Sequence, residues 1–189
     1  SALDPVVLPP AAAVPPVDPL IGKVLGGSYT VRMLLGQGGM GRVYAAQHNR
    51  LPRRAAVKVL KTDLVNSPEA LERFRREAEV TSSLGSRHIV TVFDLGTLDD
   101  GSPFLLMEFL EGGDLADEIH RQRRLAPARV LELMEQLVAG LAAAHDRQVI
   151  HRDIKPANLF LAREVDGGEV LKILDFGLSK MGGVSLSLT

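Results

Sequence analysis

Eight consecutive residues, His151-Arg152-Asp153-Ile154-Lys155-Pro156-Ala157-Asn158, constrain this chain more than any other stretch. They set a carboxylate, an ammonium and an amide within six positions of one another. A short loop so equipped can accept a proton, steady a phosphate and hold a metal ion. Seventeen residues after Asn158, an apolar run ends in Asp175-Phe176-Gly177, a second carboxylate. Between the two lie Leu159-Phe160-Leu161, a turn at Asp166-Gly167-Gly168, and a strand from Val170 to Leu174 that delivers Asp175.

The rest of the chain must supply a scaffold for this pair. At 189 residues it is long enough for one domain with a real core. A net charge of −1 gives no global pull toward nucleic acid or acidic membranes, so neither is expected as a partner. The absence of cysteine excludes disulfides and cysteine-ligated zinc, and fits a reducing, cytoplasmic setting. No apolar run reaches membrane-spanning length, and the N-terminus does not read as a signal peptide. Residues 1–20 hold six of the eleven prolines and read as an extended linker or tail.

From Tyr29 the pattern changes. Tyr29 to Leu35 reads as a strand, Gly36-Gln37-Gly38-Gly39-Met40-Gly41 as a glycine-rich loop, and Arg42 to Ala46 as a second strand. Glycines let backbone approach phosphates closely, but the spacing alone also fits a plain hairpin turn. A dinucleotide fold would follow the loop with a helix; here a strand follows. Ala55 to Leu60 is an apolar strand interrupted by Lys58, whose ammonium needs a partner if it is buried. Ser67 can cap a helix that starts at Pro68, with Glu69 in its first turn. On a 3.6-residue period Ala70, Phe74, Glu77, Thr81 and Leu84 form one stripe. Glu77 is therefore the acid of this helix that points inward, and a Lys58–Glu77 ion pair is expected.

Ile89 to Leu95 and Pro103 to Phe109 read as two more strands, joined by a turn at Asp99-Asp100-Gly101. Asp114 follows two glycines and suits a helix N-cap. Arg121, Arg123 and Arg124 read as solvated loop charges. A long helix opens at Pro127, with an inward stripe of Val130, Met134, Leu137, Leu141 and His145, flanked by Leu131 and Val138. His145 is expected to be a packed or capping histidine rather than a ligand.

Taken together, the glycine loop between strands, the strand lysine, the helix glutamate, the Asp153 loop and the Asp175 triplet resemble a eukaryotic-type serine/threonine protein kinase. Leu35 to Tyr44 and Arg73-Phe74-Arg75-Arg76-Glu77-Ala78 look most like the bacterial members, and Lys155 two positions after Asp153 is the serine/threonine pattern. The resemblance covers Ile21 to the C-terminus. It implies an α+β, protein-kinase-like fold: an antiparallel-sheet small lobe with one helix over residues 21–108, then the hinge and an incomplete helical large lobe over 109–189. It implies ATP and Mg²⁺ as cofactors and a protein serine or threonine hydroxyl as acceptor. Asp153 would orient that hydroxyl and take its proton, and Lys155 would stabilise the transferring group. Asn158 and Asp175 would hold magnesium, while Lys58, positioned by Glu77, grips the α- and β-phosphates. Leu35, Gly36, Gly38 and Gly41 would form a flap over the phosphates, and Val43, Ala56 and Phe160 would sandwich the adenine. Met107 would guard the back of the pocket, with Glu108-Phe109-Leu110 as the hinge that bonds the base. Asp114 would contact the ribose, an alternative to its N-cap reading. His151 and Phe176 would be structural, and Arg152 would pair with a phosphorylated activation loop.

The sequence departs from the family pattern in one respect. Twelve residues follow Gly177, with no Ala-Pro-Glu motif among them. The chain is thus expected to represent a fragment of a kinase domain whose Pro127 helix and catalytic loop expose apolar surface. Ser179, Ser185, Ser187 and Thr189 stand where activation-loop phosphosites would begin. The contrasting reading is a catalytically silent nucleotide-binding or interaction module.

Overall fold

A computed structural model describes residues 18–38, 41–61 and 64–176. The proline-rich stretch before Asp18, Gly39, Met40, Gly177 and the four hydroxyl residues near the C-terminus lie outside the described residues. The first lobe is a sheet of six strands: β1 (Val24–Leu25), β2 (Tyr29–Gln37), β3 (Gly41–His48), β4 (Arg54–Leu60), β5 (Val92–Thr97) and β6 (Pro103–Glu108). They lie in the order β1-β2-β3-β4-β6-β5, and neighbours are antiparallel throughout.

The apolar run of β4 has a simple cause: the strand is buried on both faces. Ala55, Val57 and Val59 join Tyr44, Phe104 and Leu106 in a core on the outer face. The alternate residues Ala56, Lys58 and Leu60 point the other way, as a strand's two-residue period requires. There Leu60 packs with Leu105 against Phe74 and Ala78 of α1 (Pro68–Ser83). Ser67 caps α1 by accepting a hydrogen bond from the Ala70 N–H at 3.2 Å, and Ala70, Phe74, Glu77 and Thr81 are buried, so the stripe read from the sequence is the packed one. At Gly41 a side chain would not fit, because a β-carbon would stand 2.3 Å from the Val59 carbonyl oxygen of β4.

The second lobe holds β7 (Gly112–Asp114), α2 (Leu115–Gln122), α3 (Pro127–His145), a 3₁₀ turn (Pro156–Asn158), β8 (Leu159–Arg163) and β9 (Glu169–Ile173). Strands β7, β8 and β9 form a small antiparallel sheet. Its core joins Leu133, Leu137 and Ala144 of α3 to Leu159, Leu161, Leu171, Ile173 and Phe176.

Two expectations need correction. The strand expected from Ile89 begins at Val92. Ile89 pairs instead with Ile173 of β9 in a parallel bridge, and the Val90 N–H donates to the Ile173 carbonyl at 3.1 Å. The segment after α1 thus belongs to the second lobe's sheet, which satisfies its backbone groups there. The face of α3 also differs. Its buried residues are Leu133, Leu137, Gly140 and Ala144, whereas Val130, Leu131, Met134 and Val138 are exposed. The reason is close approach: a β-carbon at Gly140 would lie 2.7 Å from Ile173 Cδ1 and 3.0 Å from His88 Cβ. The helix presses its small residues on β9, and a reading weighted toward large side chains turns it the wrong way. His145 closes α3 and is exposed rather than packed.

Candidate active site

The site is built where the lobes meet. Its first component is a buried cation between two acids. Lys58 Nζ lies 3.0 Å from Glu77 Oε1 and 2.8 Å from Asp175 Oδ1. Lys58 and Glu77 are 8% and 9% exposed, so water screens their attraction little. Burial opposes the Lys58 ammonium, but the Asp175 and Glu77 carboxylates outweigh it and raise its pKa above the ordinary lysine value. Burial pushes the Glu77 carboxyl up to about 7 against the pull of Lys58. The Asp175 side chain is about half exposed, at 51%. Desolvation works to raise its pKa, yet the charge of Lys58 holds it below the usual carboxylate range.

The second component is the loop from His151. Its Nε2 donates to the Leu174 carbonyl at 2.8 Å, and its Nδ1 accepts the Asp153 N–H at 3.3 Å. Burial lowers the His151 pKa, which favours the neutral ring this arrangement needs. The ring also packs on Phe176, with centroids 4.7 Å apart. One histidine therefore ties the Asp153 loop to the segment that carries Asp175. Arg152 (φ 65°) and Asp175 (φ 45°) both adopt left-handed backbone, an uncommon conformation for residues with side chains.

Asp153 Oδ2 accepts from Lys155 Nζ at 2.7 Å and from Asn158 Nδ2 at 3.1 Å. The Lys155 hydrogen bond holds the Asp153 carboxyl below its ordinary range, so it is ionised at neutral pH. Asn158 Nδ2 also donates to the Asp153 carbonyl at 2.8 Å. With both bonds made by the amide nitrogen, the amide oxygen of Asn158 is directed away from Asp153.

A cleft of about 360 Å³ runs beside these groups. Of the sequence candidates, Leu35, Gly36, Val43, Ala56, Lys58, Met107, Glu108, Phe109, Leu110, Asp114, Phe160 and Asp175 line it. Gly38 and Gly41 do not; they close the hairpin above it through a Gly38 N–H to Gly41 carbonyl bond of 2.8 Å. Glu77 stands behind Lys58. Asp114 both lines the cleft and caps α2, accepting the Asp117 N–H at 2.8 Å. Val90, Ala157 and Leu174 complete the lining and were not singled out from the sequence.

Lys172 was also missed. It is 9% exposed, and its Nζ lies 2.6 Å from Glu108 Oε1, which also accepts the Thr91 N–H at 2.7 Å. Glu108 thus ties β6 to β9 with its side chain and also lines the cleft. A lysine in an otherwise apolar strand was the available signal, the same one that marked Lys58. Lys172→Met is expected to cost about 1–3 kcal/mol of stability, because it strips a charged partner from a largely buried carboxylate. Thermal melting checks this; an unchanged melting temperature would mean the tie carries no weight.

Comparison with known proteins agrees with this geometry. The family model for the protein kinase domain matches residues 29–186, and the chain belongs to that family. It is 41% identical over 160 residues to the serine/threonine-protein kinase PrkC of Bacillus subtilis, covering 85% of this chain and 24% of the relative. To PknA of Mycobacterium tuberculosis it is 39% identical over 168 residues, covering 87% of this chain and 38% of the relative. Among solved structures, the Mycobacterium tuberculosis PknI kinase domain superposes with a TM-score of 0.71 at 32% identity, over 86% of this chain and 64% of that one. The chain thus spans roughly a quarter to two fifths of the length of these curated relatives. The fold is the protein-kinase fold: an antiparallel-sheet small lobe with one helix, and part of the helical large lobe.

Proposed function

We propose that this chain carries the nucleotide-binding and phosphoryl-transfer residues of an ATP-dependent protein serine/threonine kinase of the bacterial, eukaryotic-like type. The observation that supports this most is the convergence of Lys58, Glu77 and Asp175 on one side of a cleft whose neighbouring loop presents Asp153, Lys155 and Asn158.

The residues suit the cofactors. Val43, Ala56, Met107, Leu110 and Phe160 give the cleft apolar walls for a flat base, and its volume of about 360 Å³ is in the range of small-ligand sites. At Gly36 an added β-carbon would meet no protein atom, so the room there belongs to the cleft. Magnesium prefers oxygen ligands and takes only one or two from protein when phosphates supply others; Asp175 and the Asn158 amide oxygen are of that kind. When bound, the metal would neutralise phosphate charge. Lys58, fixed by Glu77, is poised to hold the α- and β-phosphates. Lys155 would offset charge on the transferring group. The ionised Asp153 would align an acceptor hydroxyl and take its proton. Phosphoryl transfer asks for little covalent help, so positioning and charge neutralisation supply most of the rate. The acceptor we propose is a protein serine or threonine, and the setting cytoplasmic. Among the described residues no helix is long and apolar enough to cross a membrane.

A melting curve of this chain with Mg·ATP tests the reading. A ligand that binds only the folded state adds roughly 2.7 kcal/mol at about a hundred times its Kd. The expected result is a cooperative transition raised by Mg·ATP and not by ATP with chelator. No shift would count against a metal-dependent nucleotide site. A shift without phosphoryl transfer to any serine or threonine peptide would favour the silent nucleotide-binding module.

A further inference from the structure

One carboxylate holds the segment that leads into the first sheet. Asp18 Oδ1 accepts the Leu20 N–H at 3.0 Å, and the Asp18 carbonyl accepts the Ile21 N–H at 3.0 Å, which closes a turn. The turn is fastened to β2. The Gly22 N–H donates to the Val31 carbonyl at 2.8 Å, and the Val31 N–H donates to the Lys23 carbonyl at 2.9 Å. Leu20 packs against the outer core that contains Tyr44 and Val59.

The second oxygen of the same carboxylate reaches β3. Asp18 Oδ2 accepts the Tyr44 hydroxyl at 2.9 Å and lies 3.5 Å from Arg42 Nη1. These contacts hold different things. Tyr44 is fully buried in the outer core, so packing fixes its place and its hydroxyl needs a partner. Arg42 is exposed and stands at the end of the ladder, paired with Gln37 of β2 beside the Gly38–Gly41 bond of the hairpin. The Asp18 side chain is only 17% exposed, so its attraction for Arg42 is screened less than that between two surface charges. Asp18 thus joins a fixed point of the core to the residue next to the glycine hairpin. Val43 lies between Arg42 and Tyr44, lines the cleft on the other face, and stands opposite Lys58 in the β3–β4 register.

We propose that Asp18 is a positioning residue for the nucleotide phosphates: by holding Arg42 to Tyr44 from behind the sheet, it sets the base of the glycine hairpin over the cleft. The inference rests on the kinase reading above, in which that hairpin covers the phosphates. The effect falls on the phosphates rather than the base. The walls for the base, Ala56, Met107, Leu110 and Phe160, lie on elements that Asp18 does not touch, and Val43 is held by ladders to both β2 and β4.

The test is titration calorimetry of the whole 189-residue chain with Mg·ATP and, separately, with adenosine. Asp18→Ala is expected to weaken Mg·ATP binding about fivefold, the upper range for a partly exposed ion pair, and to leave adenosine affinity unchanged. Arg42→Ala should show a loss of the same size, and the double variant should be no worse than either, because the two act as one unit. Asp18→Asn keeps an acceptor for the Leu20 N–H and a polar partner for Tyr44 while removing the charge, so it should melt with the parent and still lose Mg·ATP affinity. Without any ligand, the Gly38 amide should exchange with deuterium faster in Asp18→Ala. A lowered melting temperature with the parent's ratio of Mg·ATP to adenosine affinity would reduce Asp18 to a support for its own turn and overturn the proposal. A parent chain that binds neither ligand would sink the kinase reading and this inference with it. Binding in the parent that all three variants match would sink the inference alone.

Discussion

Asp153→Asn is expected to slow phosphoryl transfer about 10²–10⁴-fold, the usual worth of a positioned general base, with Mg·ATP affinity nearly unchanged. The substitution keeps the shape of the side chain. An asparagine oxygen can still accept from Lys155, which now lies 2.7 Å from Asp153 Oδ2, so the loop should hold its form. What it loses is a group that can take a proton. The Lys155 contact makes Asp153 a weak base, ionised well below neutral pH. That suits the role proposed for it, aligning a hydroxyl and carrying its proton away late in the transfer. Single-turnover transfer separates the steps. A large loss with the melting shift by Mg·ATP retained is the expected outcome. Undiminished transfer would remove Asp153 from the base role, and loss of both would mean that it serves the fold of the loop.

Much of this architecture could be read before any coordinates, and the reasons are specific. Lys58 and Glu77 were legible because a charge in an apolar setting demands a partner, and helical periodicity left one inward acid to meet it. Ser67 and Pro68 fixed the start of α1 through local chemistry alone, since a cap needs only its own turn. Other features depend on tertiary contact. Nothing within the Ile89 segment says that its hydrogen bonds go to Ile173, eighty-four positions later, rather than to its own hairpin. The buried face of α3 was misread because Gly140 and Ala144 carry little hydrophobic signal, though they permit the closest packing. The exposed Val130, Leu131, Met134 and Val138 outweighed them in the pattern. Lys172 escaped because its partner Glu108 had been given a backbone role, and that role says nothing about where a side chain goes.

Lys58→Met should cost about 3–5 kcal/mol of stability, as expected when one member of a buried ion pair is removed. Methionine nearly fills the lysine's volume, so the loss reports charge rather than packing. It leaves Glu77, 9% exposed, with the neighbouring Asp175 as a like charge and no cation between them. A carboxylate so placed takes up a proton rather than stay ionised. The sign of the pH dependence follows. In the variant, Glu77 has a folded-state pKa well above its unfolded one, so the folded form is favoured while the group is neutral. That advantage is lost as pH rises through the folded pKa. The destabilisation relative to the parent protein should therefore be greater at pH 8 than at pH 6. Adding Glu77→Gln removes the stranded acid, and the double variant should be more stable at pH 8 than Lys58→Met alone, a coupling that a double-mutant cycle measures directly. Nucleotide affinity should fall in both, because the cation is absent from the cleft either way. Losses that simply add, with no pH dependence, would mean that the two side chains are neighbours in space without being partners in energy.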